Sequence, residues 1–358
     1  MEISGKSGDK ACSFGKDMRN PLSQAADQRP WLSVLIPAFN VENFIGECLD
    51  SILPQIAGDH IELIILDDAS TDRTVQLIAD VQARHPGQVR GERAEANIGV
   101  NEARNWLLGQ ARGDYIWFVD ADDRVCAGAM GALRTIVAEH APDIVLCGFR
   151  RLPLYPETSR QVATFVGPSR QVLSNRSDLL AGLYRAGHMQ LWSKVFKRCL
   201  WDPGFRLPPG THFEDIAFSS AIASGAKTYY YEPAAWIEYR VNPASIVLTM
   251  TLRKYVELAT VLNRAWDVLE RQGAMDDVVF SAFMMFRDRH FVICYRELLG
   301  YPPDPERSRT LAAVLALYRR NFRSGEWRIL RYLKSREVKK LLWIRKWERR
   351  ARRAAALR

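Results

Sequence analysis

The sequence predicts an α/β fold: a mixed, mostly parallel sheet with helices on both faces, followed by a helical C-terminal extension. Three observations carry this expectation. Short apolar runs alternate with stretches of helical spacing through the first half of the chain, as they do where buried parallel strands are joined by crossover helices. The connections between them are only a few residues long. From residue 251 onward the spacing becomes wholly helical.

Leu32-Ser33-Val34-Leu35-Ile36 reads as the first strand, which Pro37 is expected to break. Phe44, Ile45, Cys48, Leu49 and Ile52 then recur at helical spacing and predict a helix over 41–53. Residues 61–66 form the second strand, stopping at Asp67-Asp68, and Ser70 is expected to cap a helix over 72–84. A third strand is expected over 89–95, a turn at Asn97-Ile98-Gly99, and a helix over 100–111 with Gly113 beyond its end. Residues 115–119 make the fourth strand, about 127–139 a helix, and 144–147 the fifth strand.

The second half is less regular. Residues 150–172 read as hairpin or loop, 178–185 as a short helix, 213–224 as a helix closed by Gly225, and 229–240 as strands. Helices follow over about 251–272, 276–298 and 306–322. There is no internal repeat.

Composition bounds the class. The chain has 358 residues, 47% hydrophobic and 25% charged, which suits a folded body of two domains. No run approaches the roughly 18–20 apolar residues of a membrane-spanning helix. Residues 1–30 are polar and lack the apolar core of a signal peptide, so a disordered leader and a cytoplasmic location are expected. Six cysteines lie scattered without paired spacing, which argues against zinc and against a disulfide framework.

Charge is unevenly spread. Residues 319–358 carry sixteen Lys or Arg against three Glu, a local +13 within a total of +9, so the preceding residues sum to −4. Such a tail calls for an anionic partner.

In open parallel sheets, ligands bind at the carboxyl ends of the strands, where loops and helix N-termini collect. Three polar segments occupy such ends here: Pro37-Ala38-Phe39-Asn40, Asp67-Asp68-Ala69-Ser70 and Asp120-Ala121-Asp122-Asp123. The last places three carboxylates in four residues directly after an apolar strand. Their mutual repulsion calls for a cation. Taken alone, each segment also reads as an ordinary charged turn.

These segments carry a resemblance. Residues 33–40, Asp67-Asp68-Ala69-Ser70-Thr71-Asp72, Asn97-Ile98-Gly99 with Ala103-Arg104-Asn105, Asp120-Ala121-Asp122-Asp123 and Phe213-Glu214-Asp215-Ile216 follow one another in order and register over about 31–246. In this the chain resembles the family 2 glycosyltransferases of the GT-A fold, the nucleotide-sugar-dependent enzymes of bacterial surface polysaccharides. The resemblance implies a nucleotide-binding half over 31–125 and an acceptor half over 126–248; the leader over 1–30, a helical extension over 249–318 and a basic tail beyond it lie outside the resemblance. By matching the family's Asp-x-Asp, Asp120 and Asp122 are expected to bind metal, with Asp123 as a further ligand or ribose contact. Oxygen ligands suit Mg²⁺ or Mn²⁺. Asp68 matches the aspartate that accepts from a base ring N–H, which favours a UDP-sugar donor.

Pro37, Phe39 and Asn40 are expected on the nucleotide, Phe39 by stacking. Arg104 is expected on phosphate or paired with the acidic cluster, with a solvent-facing place on its helix the alternative. Asp215 matches the catalytic base, held ionised by a helix N-terminus, with Glu214 orienting it or meeting the acceptor. Arg240, near Ser245-Ile246 in a closing loop, is expected on the diphosphate. Gln190-Leu191-Trp192-Ser193-Lys194 resembles the stretch that lines the acceptor side in such enzymes, with ordinary packing the alternative for Trp192, and His212 reads more readily as an incidental loop residue.

The implied reaction is metal-dependent transfer, with inversion, to a hydroxyl of a saccharide or lipid-linked saccharide, in cell-surface polysaccharide synthesis. On a helical wheel, Leu330, Leu333, Leu341 and Ile344 of the tail share one side, and Trp327, Trp343 and Trp347 add interfacial rings. The expected partner of 319–358 is therefore an anionic membrane surface at the inner face of the cell membrane, with nucleic acid disfavoured. Two other functions compete. A nucleotidyltransferase needs a Gly-rich phosphate loop after the first strand, and Pro37-Ala38-Phe39-Asn40 is not one. A non-catalytic membrane- or nucleic-acid-binding module needs no acidic pair.

Overall fold

The computed structural model describes residues 29–152, 160–202, 204–241 and 249–320, together with 346, 347, 349, 350 and 352–354. Among the described residues, ten strands form one sheet: β1 (Leu32–Ala38), β2 (Ile61–Asp67), β3 (Val89–Arg93), β4 (Tyr115–Phe118), β5 (Arg124–Val125), β6 (Ile144–Leu152), β7 (Gln161–Val162), β8 (Val172–Leu173), β9 (Lys194–Lys197) and β10 (Tyr229–Arg240). The strand order is β3-β2-β1-β4-β9-β6-β10-β5, with β7 beside β6 and β8 beside β10. β3, β2, β1 and β4 run parallel, as do β6 and β10. β9 lies antiparallel between β4 and β6 and joins the two parallel blocks.

The period-2 alternation of each strand feeds two cores. Val34, Ile36, Leu63, Ile65 and Trp117 face α1 (Ile45–Ile56), α2 (Thr74–Arg84) and α4 (Ala129–His140). Leu35, Ile64, Leu66, Ile116 and Phe118 face α3 (Val100–Gln110), α5 (Arg176–Ala186) and α6 (Asp215–Gly225). The helices of the C-terminal extension, α7 (Leu252–Arg271), α8 (Asp277–Gly300) and α9 (Pro305–Arg320), bury their apolar faces in that second core. Ala354 is buried there too, and Trp347 packs on its edge. The expected membrane-binding face over 327–344 lies outside the described residues. No described helix is long and apolar enough to cross a membrane.

Several elements differ from their sequence expectations. β1 does not stop at Pro37 but continues to Ala38, paired with Asp67. The ladder to β4 ends at Leu35, whose carbonyl accepts from Val119, so the N–H that Pro37 lacks falls where no strand remains to receive it. α1 begins at Ile45, after a turn in which the Phe44 and Ile45 amides donate to the Val41 carbonyl. Ser70 does not cap α2. Its Oγ accepts from the Asn40 amide at 2.9 Å, and Asp72 receives the Thr74 amide instead. Residues 229–240 form a single bulged strand.

Gly113 shows how closely the pieces fit. A Cβ there would lie 2.5 Å from the Ser33 backbone nitrogen, and the glycine amide donates to Ser33 Oγ and to the buried carboxylate of Glu62. Backbone cannot yield as a side chain does. Gly113→Ala is expected to destabilise the protein by about 1–3 kcal/mol in chemical denaturation. An unchanged midpoint would show that the β1–β4 entry has slack.

Candidate active site

β1, β2 and β4 end side by side, so their polar followers share one rim of the sheet. Two backbone positions there are forced: Asn40 (φ 50°) after β1 and Ala69 (φ 59°) after β2 lie in the left-handed region. The Asn40 side chain accepts from the amide and hydroxyl of Thr71, which knits the two loops together. Half-buried Pro37 leads into this loop, and Phe39 stands 46% exposed at its tip.

Asp67 and Asp68 turn inward. Asp67 accepts from the Ser70 amide and pairs with Arg93, the turn-forming part its position suggests. Asp68, 3% exposed, accepts from the Ile98 amide at 2.7 Å and the Gly99 amide at 2.8 Å. Its carboxylate thus holds the entrance of α3, and each oxygen keeps a second lone pair. Ile98, 39% exposed, belongs to the turn motif at 97–99, and this link sets it beside Asp68 on the same rim as Phe39.

Arg104 is the hub. From α3, where it is 7% exposed, its Nη1 donates to Asp215 Oδ1 at 2.9 Å and its Nη2 to Asp120 Oδ1 at 3.1 Å. One guanidinium therefore joins the acid after β4 to the first residue of α6. Arg104 thus pairs with the acidic cluster and does not take the solvent-facing place on α3. Burial pushes the Asp215 carboxyl above its ordinary value, Arg104 opposes that rise, and Asp120 adds to it. The helix N-terminus does not outweigh burial here, so the expected depression is absent. Lys194 lies within electrostatic reach of Asp215. Its buried Nζ donates to the carbonyls of His188 (3.2 Å) and Gln190 (2.8 Å) and to Ser193 Oγ (3.1 Å). Burial lowers its ammonium to about 7, with Asp215 opposing the fall.

The other acids meet Arg240. Its amide donates to Asp123 Oδ1 at 2.8 Å, its Nε to the Asp122 carbonyl at 3.0 Å and its Nη2 to Glu47 at 2.7 Å, while the guanidinium stacks on Phe44. Asp123 is buried. Burial, then the charges of Asp120 and Asp122, push its carboxyl well above the usual range, and Oδ2 has no hydrogen-bond partner. Among the described residues, no three Asp, Glu, His or Cys side chains already converge as a cation cage. The orphaned Asp123 oxygen and the all-oxygen donor set nevertheless fit a hard divalent ion, which commonly takes one or two carboxylates and completes its shell with phosphate and water.

Glu214 faces away from this cluster. It is 3% exposed, accepts from Thr211 Oγ1 at 3.1 Å and pairs with Arg264 of α7 at 3.3 Å. His212 binds Glu257 of α7. Trp192 is core: it stacks on Tyr239, and its carbonyl accepts from Trp117 Nε1. Ser245-Ile246 falls outside the described residues. Lys194 stands within the 190–194 stretch offered by the sequence, but Glu47 and Arg264 lie outside every motif and gave no local signal.

Residues 33–197 match the family described as glycosyl transferase family 2. The chain is 31% identical over 230 residues to the Bacillus subtilis (strain 168) protein named uncharacterized glycosyltransferase EpsJ, covering 61% of this chain and 63% of that one. It is 30% identical over 222 residues to uncharacterized glycosyltransferase YibD of Escherichia coli (strain K12), covering 60% and 62%. The chain thus spans less than two thirds of either relative. Among solved structures, S. aureus TarS 1-349 in complex with UDP-GlcNAc superposes with a TM-score of 0.63 at 19% identity, over 80% of this chain and 81% of that one. The mannosyltransferase PcManGT from Pyrobaculum calidifontis, in complex with GDP-Man and Mn²⁺, gives 0.52 at 17% identity, over 94% and 88%. The fold shared with these structures is GT-A.

Proposed function

With residues 33–197 matching glycosyl transferase family 2, we propose that this chain is a metal-dependent, inverting glycosyltransferase. It moves a sugar from a nucleotide-sugar to a hydroxyl of a saccharide or lipid-linked saccharide during cell-surface polysaccharide synthesis. The observation that carries this reading is the Arg104 bridge, which puts Asp215 and the acidic loop after β4 within one guanidinium of each other.

Asp215 accepts the proton of the acceptor hydroxyl as its oxygen attacks the anomeric carbon. The bond from that carbon to the diphosphate oxygen breaks, and the diphosphate leaves with the electron pair. A carboxyl whose proton affinity is raised by burial is a better base than an ordinary surface Asp. Asp120, Asp122 and Asp123 are the residues that would hold Mg²⁺ or Mn²⁺; when bound, the ion neutralises charge on the diphosphate. Phe39 and Ile98 offer the nucleobase two exposed apolar surfaces beside Asp68, whose remaining lone pairs suit the ring N–H of uracil and make a UDP-sugar the first candidate. Arg240 is a cation within reach of phosphate once its pairing with Glu47 is exchanged. The +13 of residues 319–358 supports engagement of an anionic membrane surface, where a lipid-linked acceptor resides.

The test is a thermal-shift panel of UDP-, GDP- and dTDP-sugars with and without Mn²⁺. The expected result is stabilisation only when nucleotide-sugar and metal are both present, approaching about 2.7 kcal/mol at 100-fold above Kd. A flat panel would sink the donor class. A shift with GDP-sugars alone would replace uridine.

A further inference from the structure

We infer that helix α7, which follows the family-matched segment, is a positioning element for the proposed base, acting through Arg264, Glu257 and Arg253 on residues 206–214. The inference rests on the reading of Asp215 given above. It deepens that reading by assigning the control of Asp215 to residues outside every motif.

The loop before α6 is held from two sides. From α3, Asn101 Nδ2 donates to the carbonyls of Pro208 and Thr211 at 2.9 Å each. Asn105 exchanges hydrogen bonds with the Leu207 backbone in both directions. From α7, Arg264 reaches Glu214 at 3.3 Å with Nη1 and the Arg206 carbonyl at 2.9 Å with Nη2, while its guanidinium stacks on Phe205. Arg253 donates to the Gly210 carbonyl at 3.1 Å and to Glu257, whose second oxygen holds His212 at 2.6 Å.

The clamp has something to hold. Phe213 has φ 67°, a left-handed conformation that a bulky side chain resists, and it sits two residues before Asp215. Such strain persists only where surrounding contacts over-determine it. The buried ion pair of Glu214 with Arg264 and the charge-assisted contacts to His212 flank this position on both sides. Glu214 is therefore a positioning residue. Its carboxylate is spent on Thr211 and α7, and it acts through the backbone that delivers Asp215.

The groups facing this pair are Arg264 and Glu257 from α7, Thr211 from the loop, and, around Asp215, Arg104, Asp120 and Lys194. Burial raises the Glu214 carboxyl and Arg264 opposes the rise. Losing Arg264 therefore lets Glu214 take up its proton at higher pH.

The experiment uses the full-length chain with Arg264→Gln, Arg264→Lys and Glu257→Gln. It measures sugar-nucleotide turnover against pH with UDP-glucose and UDP-N-acetylglucosamine as probes, and amide hydrogen exchange over 206–214. Arg264→Gln is expected to lower kcat by about 10²-fold with donor KM little changed, the cost of a misplaced reacting group. It should also move the acid limb of activity to higher pH and speed exchange at 206–214 while β1 and β2 stay protected. Arg264→Lys should return the pH profile by restoring the charge, but not full turnover, because an ammonium lacks the fork that spans Glu214 and the Arg206 carbonyl. Unchanged kcat per folded molecule, unchanged pH limb and unchanged exchange in Arg264→Gln would overturn the inference. If the wild-type chain turns over neither probe, the donor reading fails separately and exchange decides: faster exchange at 206–214 supports the clamp, and equal exchange overturns it.

Discussion

Asp215→Asn is expected to keep nucleotide-sugar binding and to lose sugar transfer by about 10²–10⁴-fold, the range over which a positioned general base contributes. The substitution is conservative in shape: an amide oxygen still accepts from Arg104 Nη1, so the bridge to Asp120 keeps its form. It removes only the capacity to take a proton. In the wild-type chain that capacity vanishes as pH falls through the Asp215 value, which burial raises above that of an ordinary aspartate, so transfer should decline on the acid side earlier than a solvent-exposed carboxylate would dictate. Initial rates of donor turnover from pH 4 to 8, alongside donor binding by calorimetry, check both parts. More than a tenth of wild-type turnover in Asp215→Asn would remove it as the base.

Arg104→Met is expected to be the most damaging single change to folding at this rim. Methionine matches the length of the side chain but leaves the Asp120 and Asp215 carboxylates facing one another without a counter-charge. Breaking a buried pair by removing one partner costs about 3–5 kcal/mol. Because both carboxylates keep roughly a quarter of their side-chain surface in water, about 2–3 kcal/mol is the better expectation. The pH dependence has a definite sign. With Arg104 gone, the Asp215 carboxyl, already raised by burial, rises further above its unfolded value, so the native state binds more protons than the unfolded one in that window. The variant's stability deficit should therefore grow from pH 5 to pH 8 and shrink on acidification. Urea melts at the two pH values measure it, and an equal deficit at both would mean that the loss is packing and not charge.

β1, β2 and β4 were legible because each is a near-continuous apolar run with Pro or Asp at its end, and the strands of the β3-β2-β1-β4 block came out within a residue or two. β9 was not. Lys194–Lys197 is four residues long with charged ends, and what makes it a strand is an open slot between β4 and β6. Ser70 failed as a cap for a similar reason: an amide from the loop after β1 competes for its oxygen, and nothing local announces it. At the site, the sequence assembled the acids of one rim correctly as neighbours but could not apportion their partners. Asp68 looked like a wholly open acceptor, yet two amides some thirty residues away take one lone pair on each of its oxygens.

By itself, then, the sequence determined which residues line the rim. Strand periodicity and the parallel sense of the sheet send Phe39, Asp68 and Asp120 to one edge whatever else happens. Only the tertiary structure decided which charge answers which. Arg104 finds partners 16 and 111 residues distant, and Arg264 meets Glu214 across 50. Such pairings depend on distance and dielectric between elements that pack late, and electrostatic attraction leaves no period in the chain for a reader to find.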